Sequence, residues 1–122
     1  MRGIQVTKKQ IKKLDDWWSE EVKVRAGYKC EFCGGESRLN SHHIYSRSNR
    51  SVRWDVSNGV CLCVSHHVFG NMSAHKSPME FSEWLKIHRG EEWSYELTKK
   101  AHLTSKLSYE EVKLLYKINV LY

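Results

Sequence analysis

Four cysteines and seven histidines stand in a chain of 122 residues, and most of them fall between positions 30 and 75. Cys30-x-x-Cys33 offers two thiolates at the spacing that lets both reach one tetrahedral ion. A redox pair has the same spelling, so the second half of a metal site has to be found elsewhere. It is available from Cys61, Cys63, His66 and His67. Cys63-x-x-His66 repeats the two-residue gap and predicts a closed site of Cys30, Cys33, Cys63 and His66, structural because it leaves no position for a substrate. Cys61 is the competitor for Cys63, since residues two apart on a strand face the same side. Its neighbours Val60 and Leu62 favour a small buried hydrophobe instead. Zinc held there would tie residue 30 to residue 66 and add folding energy to a small core.

That site leaves His42, His43 and His67 without a task. Adjacent residues of a strand point to opposite faces, so His42 and His43 are poorly placed to serve one ion together. They can divide labour, one as a metal ligand and the other facing a substrate or water. Asn58 follows His43 by 15 residues, and His67 follows Asn58 by nine. His67 and Asn71 at i, i+4 would share one face of a helix.

Cys30-x-x-Cys33, His42-His43-Ile44, Asn58 and Leu62-Cys63-x-x-His66-His67, in that order, resemble the HNH nucleases, the ββα-metal or His-Me finger family. The resemblance implies that His42 ligates a catalytic divalent metal and that His43 is the general base. It implies further that Asn58 braces the strand and loop around the base, and that His67 and Asn71 complete the metal site. The implied activity is metal-dependent hydrolysis of DNA phosphodiester bonds, leaving 5′-phosphate and 3′-hydroxyl ends. Two departures stand out: the fourth zinc ligand is His66 where the family usually has Cys, and Asn71 stands where a second helix His is common. His75 is an alternative ligand if the helix continues. Ser51-Val52-Arg53-Trp54-Asp55-x-x-Asn58 and Gly70-Asn71 are similar in addition to the phage recombination endonucleases of the NinG (Rap) group. That similarity implies a phage or prophage protein acting in the cytoplasm of a bacterial host.

A neutral imidazole at position 43 can accept a proton from water near pH 7. Its other ring nitrogen must then be held as a donor, most simply by a backbone or amide oxygen near Asn58. Two imidazoles and an amide suit Mn²⁺, Ni²⁺, Co²⁺ or Zn²⁺, with Mg²⁺ suitable if the site stays hydrated. Arg47, four residues after His43, is expected to clamp the scissile or adjacent phosphate. Arg50 and Arg53 are expected to contact the DNA backbone, with Arg38 a weaker candidate. Tyr45 and Trp54 flank this loop as packing or base-stacking residues.

The charge is consistent with such a partner. The formal net charge is +6, which favours acidic partners such as DNA. Residues 1–61 hold 12 basic and 7 acidic side chains, and the stretch 38–53 holds four arginines and no acid. No apolar run approaches the ~18 residues of a membrane span, and the opening MRGIQVTKKQ lacks the apolar core of a secretory signal. The cysteines are therefore read as thiols or ligands instead of disulfides. Rival readings are a non-catalytic zinc-knuckle nucleic-acid-binding module and a phage assembly or interaction protein. A homodimer or a larger phage complex is the expected assembly, if any.

The elements that must position these residues form one α+β domain over 1–122. Ile11, Leu14, Trp18, Val22 and Ala26 recur at helical spacing and predict a helix over 8–26, capped by Thr7 and ended by Gly27. Residues 28–37 form the Cys-bearing turn. Residues 39–45 and 56–62 read as strands joined by the basic loop 46–55, and 64–72 as a short helix. Residues 28–75 would thus form a ββα core between the N-terminal helix (7–27) and C-terminal helices (76–122). Ser77-Pro78-x-Glu80 and Ser108-x-x-Glu111 predict capping boxes for two of the latter, with a looser helix over 91–102.

Overall fold

The computed structural model describes residues 6–70, 73–103 and 107–121. The chain is mixed: helices surround one small antiparallel two-stranded sheet. The order is α1 (Lys8–Arg25), β1 (Leu39–His43), β2 (Gly59–Cys63), α2 (Pro78–Arg89), α3 (Glu91–Ala101) and α4 (Tyr109–Tyr116). No helix among the described residues is long and apolar enough to cross a membrane.

α1 starts in the predicted capping box. The Thr7 side chain accepts from the Gln10 N–H, and the Gln10 side chain accepts from the Thr7 N–H. Its buried stripe is Leu14, Trp18 and Val22, and Gly27 takes a left-handed conformation just beyond the end (φ +65°). The stripe lies on the sheet, whose register pairs Ser41 with Cys61, His42 with Val60 and His43 with Gly59. Gly59 is where helix and strand come closest. A Cβ built there would lie 2.8 Å from Trp18 Cζ2 and inside the Val22 side chain.

The two faces of the sheet bury different cores. Cys61 joins Leu14, Trp18, Val22, Trp54, Val112 and Tyr116, so α1 and α4 close one side. Val60 and Leu62 join Cys30, Ala74, Phe81 and Leu85, so the Cys turn and α2 close the other. The strand alternation thus sends His43 towards α1 and His42 towards the opposite side.

Several predicted boundaries shift. The second strand begins at Gly59 instead of residue 56, because the Asp55 carboxylate accepts from the Ser57 N–H and folds Val56–Asn58 into a 3₁₀ turn. The helix expected over 64–72 is a single π turn, Ser65–Phe69, ended by extended Gly70. Ser77 occupies the N-cap of α2 but makes no side-chain capping bond, so Pro78 is what marks the first turn. Residues 91–101 form a regular helix that starts directly after Gly90 (φ +98°). The Ser108–Glu111 capping box forms as expected.

Candidate metal centres and general base

The Cys turn and the end of β2 bring Cys30, Cys33, Cys63 and His66 together. Cys33 Sγ lies 3.8 Å from Cys63 Sγ, Cys30 Sγ 3.8 Å from His66 Nδ1, and Cys63 Sγ 3.2 Å from the same nitrogen. Ligands 2.0–2.3 Å from a tetrahedral zinc are about 3.3–3.8 Å apart, so the cluster can hold a structural metal such as zinc. Burial disfavours the Cys30 thiolate, but the N–H groups of Cys63, Cys33 and Phe32 outweigh it and lower its pKa. Cys61 stands apart. It is fully buried, and burial together with the Glu31 carboxylate pushes its thiol up to about 11.

The Cys turn is fastened to the sheet by residues the sequence did not single out. The Glu31 N–H donates to the Cys61 carbonyl (2.9 Å), and the Cys61 N–H donates to Glu31 Oε2 (3.0 Å). Arg89, at the end of α2, forks onto Glu31 (2.8 and 2.9 Å) and donates to the Gly59 carbonyl (2.7 Å). Phe32 packs on both His66 and Trp84. Glu31 and Arg89 lie 58 positions apart, and no local pattern connects them.

On the far face of the sheet, His42 meets His67 and His75. One ligand atom from each imidazole lies within 4.8 Å of the other two. The π turn supplies His67, and the chain then folds back: the Ala74 N–H donates to the His66 carbonyl and the His75 N–H to the His67 carbonyl. His75 therefore arrives by a return turn instead of a continuing helix. Asn71, the expected partner of His67, lies outside the described residues. Burial and the neighbouring imidazoles hold His42 neutral, its pKa pushed down to about 3. Burial followed by His75 lowers that of His67. His67 Nδ1 is buried with no hydrogen-bond partner among the described residues. Three imidazoles fit a borderline divalent ion.

His43 projects from the opposite face of β1. Its Nε2 lies 2.9 Å from the Arg53 carbonyl oxygen. A carbonyl only accepts, so Nε2 carries the proton and Nδ1 keeps its lone pair. The acceptor expected near Asn58 is thus the Arg53 carbonyl, because Asn58 has other work. Its Oδ1 accepts from the Tyr45 N–H (2.8 Å), and its Nδ2 donates to the carbonyls of Tyr45 (3.1 Å) and Val52 (3.2 Å). Fully buried, Asn58 pins both ends of the basic loop. Burial lowers the His43 pKa, opposed by the Arg53 carbonyl and Asp15. The Trp18 indole stacks on the imidazole, centroids 3.7 Å apart and planes 7° from parallel.

The arginines divide by exposure. Arg47 is 66% exposed and its guanidinium touches Asp15 at 3.2 Å. Arg53 is 15% exposed, and its guanidinium is forked onto the same carboxylate at 3.1 and 2.8 Å. Arg50 lies over the rings of Trp54 and Tyr109, and Arg38 is exposed beside the Cys turn. Trp54 is buried, and Tyr45 bonds Thr98 through its hydroxyl. An open groove of about 1030 Å³ begins at His42 and runs between α2 and α3 past Tyr45, Phe81 and Trp93.

No protein-family model, no curated protein and no solved structure matches the chain.

Proposed function

We propose that the protein is a metal-dependent HNH-type endonuclease that hydrolyses DNA phosphodiester bonds with His43 as general base. The observation that carries this reading is the split of the His42-His43 pair. One imidazole faces a three-histidine cluster, and its neighbour faces away with its tautomer set for accepting a proton. A structural cluster has no use for the second arrangement.

In this reading the ββα-metal core comprises β1, β2 and the π turn, with zinc on Cys30, Cys33, Cys63 and His66. His42, His67 and His75 would hold the catalytic ion. Such an ion stabilises charge on the phosphate and on the leaving oxygen. His43 takes the proton of the attacking water on Nδ1 while Nε2–H stays bonded to the Arg53 carbonyl. Asn58 keeps the loop that carries this carbonyl in register with β1. Exposed Arg47 binds a phosphate, exchanging Asp15 for it. Arg50 lies on the same loop, whereas Arg53 acts from inside, as a brace. The products are 5′-phosphate and 3′-hydroxyl ends, and a phage or prophage origin fits the NinG-like segments.

The test is incubation with supercoiled plasmid and Mg²⁺, Mn²⁺, Co²⁺ or Ni²⁺, beside an EDTA control. Conversion to nicked circles that requires the ion is the expected result. No nicking with any of the four ions contradicts the proposal. One observation favours a second reading, a module that docks on a partner protein: Leu114, Ile118 and Leu121, at i, i+4 and i+7, are each more than half exposed. That reading is chosen if the zinc-loaded protein cuts nothing and self-associates or captures a partner through Leu114.

A further inference from the structure

We propose that α1 belongs to the catalytic apparatus: Asp15 and Trp18, one turn apart, are positioning residues that fix the tautomer and the ring plane of His43. The inference rests on the reading of His43 as a general base.

A strand sets where the Cα of His43 stands but leaves its two side-chain torsions open. The torsions determine where Nδ1 points, and the acceptor at Nε2 determines which nitrogen is protonated. The first is set by direct contact with α1, and the second is set by α1 through Arg53. Trp18 lies face to face with the imidazole at 3.7 Å, and its indole is itself held, because Nε1–H donates to the Asp55 carbonyl at 2.8 Å. The imidazole plane is thus copied from a ring that is buried and hydrogen-bonded.

The Nε2 acceptor is the carbonyl of Arg53, a loop residue with no ladder of its own. Asn58 holds the preceding carbonyl, that of Val52, and the Arg53 side chain is itself forked onto Asp15. Asp15 gathers a third donor from the Trp54 indole (2.9 Å) and a fourth from Arg47 (3.2 Å). The carboxylate therefore ties both sides of the Arg53 carbonyl to α1. Four donors from the loop beside His43 converge on Asp15 and fill the acceptor sites of its carboxylate, so the loop is set by where α1 holds that side chain.

The experiment uses the full-length, zinc-loaded protein with ¹⁵N-labelled histidine. Long-range ¹H–¹⁵N correlation reads the His43 tautomer, and plasmid nicking with Mn²⁺ reads the maximal rate and the half-saturating plasmid concentration. Wild type is expected to show one tautomer, protonated on Nε2. Asp15→Ala is expected to show a mixture, with the maximal rate lower by about 10²-fold and half-saturation little changed. Trp18→Leu should behave likewise, and Trp18→Phe, which keeps a flat face, should recover most of the rate. Asp15→Asn, nearly isosteric, replaces Asp15→Ala if the latter does not fold. A fixed Nε2–H tautomer and an unchanged rate in a folded Asp15 variant, with only the melting temperature lowered, overturn the proposal. If wild type cuts nothing, the nuclease reading fails, and the tautomer in the Asp15 variant still decides the positioning role.

Discussion

His67 and His75 bring their Nε2 atoms within 3.1 Å although eight positions separate them. Two ring nitrogens this close either share one proton in a hydrogen bond or share a metal ion. If His75 is a ligand, His75→Ala should raise the Mn²⁺ concentration for half-maximal nicking by at least the ~10- to 100-fold that loss of even an outer-shell partner costs. The zinc content should stay at one per chain. Unchanged Mn²⁺ dependence would assign the third ligand to another residue, Asn71 being the nearest in sequence.

The two classes of cysteine should separate cleanly. Cys30→Ser or Cys63→Ser should abolish stoichiometric zinc, measured by elemental analysis, and unfold the chain at room temperature, as prolonged chelation of wild type should. Cys61→Ala should keep its zinc and lose only on the order of 1 kcal/mol of stability through the small cavity left against α1. Zinc loss from the Cys61 variant would reverse the assignment.

Much of this was legible in the sequence because it is local. Two gaps of two residues give the Cys₃His cluster, and strand alternation alone separates His42 from His43. Thr7 and Ser108 announce their helices through capping boxes that form as written. What the sequence hid is set by tertiary contact. The Arg53 carbonyl is a backbone atom, so no residue type announces it. Arg53 reads as a surface base until Asp15, 38 positions away, takes its fork. His75 reads as a ligand only on a continuing helix, whereas backbone bonds from Ala74 and His75 to the His66 and His67 carbonyls bring it there.

The arginines provide a further check. Arg47→Ala should weaken plasmid binding and reduce the slope of log affinity against log salt by about one, leaving the melting temperature nearly unchanged. Arg53→Ala should do the reverse, lowering stability by about 1–3 kcal/mol because it takes two of the four donors from the Asp15 carboxylate. Equal salt slopes in the two variants would contradict the division of roles.

Gly59→Ala tests how closely α1 is set on the sheet. The added methyl meets Val22 and Trp18, and overpacking of this kind costs about 1–3 kcal/mol. Trp18 should also shift off His43, so the nicking rate measured well below the melting temperature should fall. A variant as stable as wild type would show that α1 sits more loosely than the structure has it.

The most direct measurement is nicking of supercoiled plasmid by wild type and His43→Ala at equal zinc content and saturating Mn²⁺. The account predicts metal-dependent nicked circles from wild type and a rate lower by about 10²–10⁴-fold in the variant, the range for removal of a general base. Equal rates in the two proteins would contradict the role given to His43, and a wild type that leaves the plasmid intact would contradict the nuclease itself.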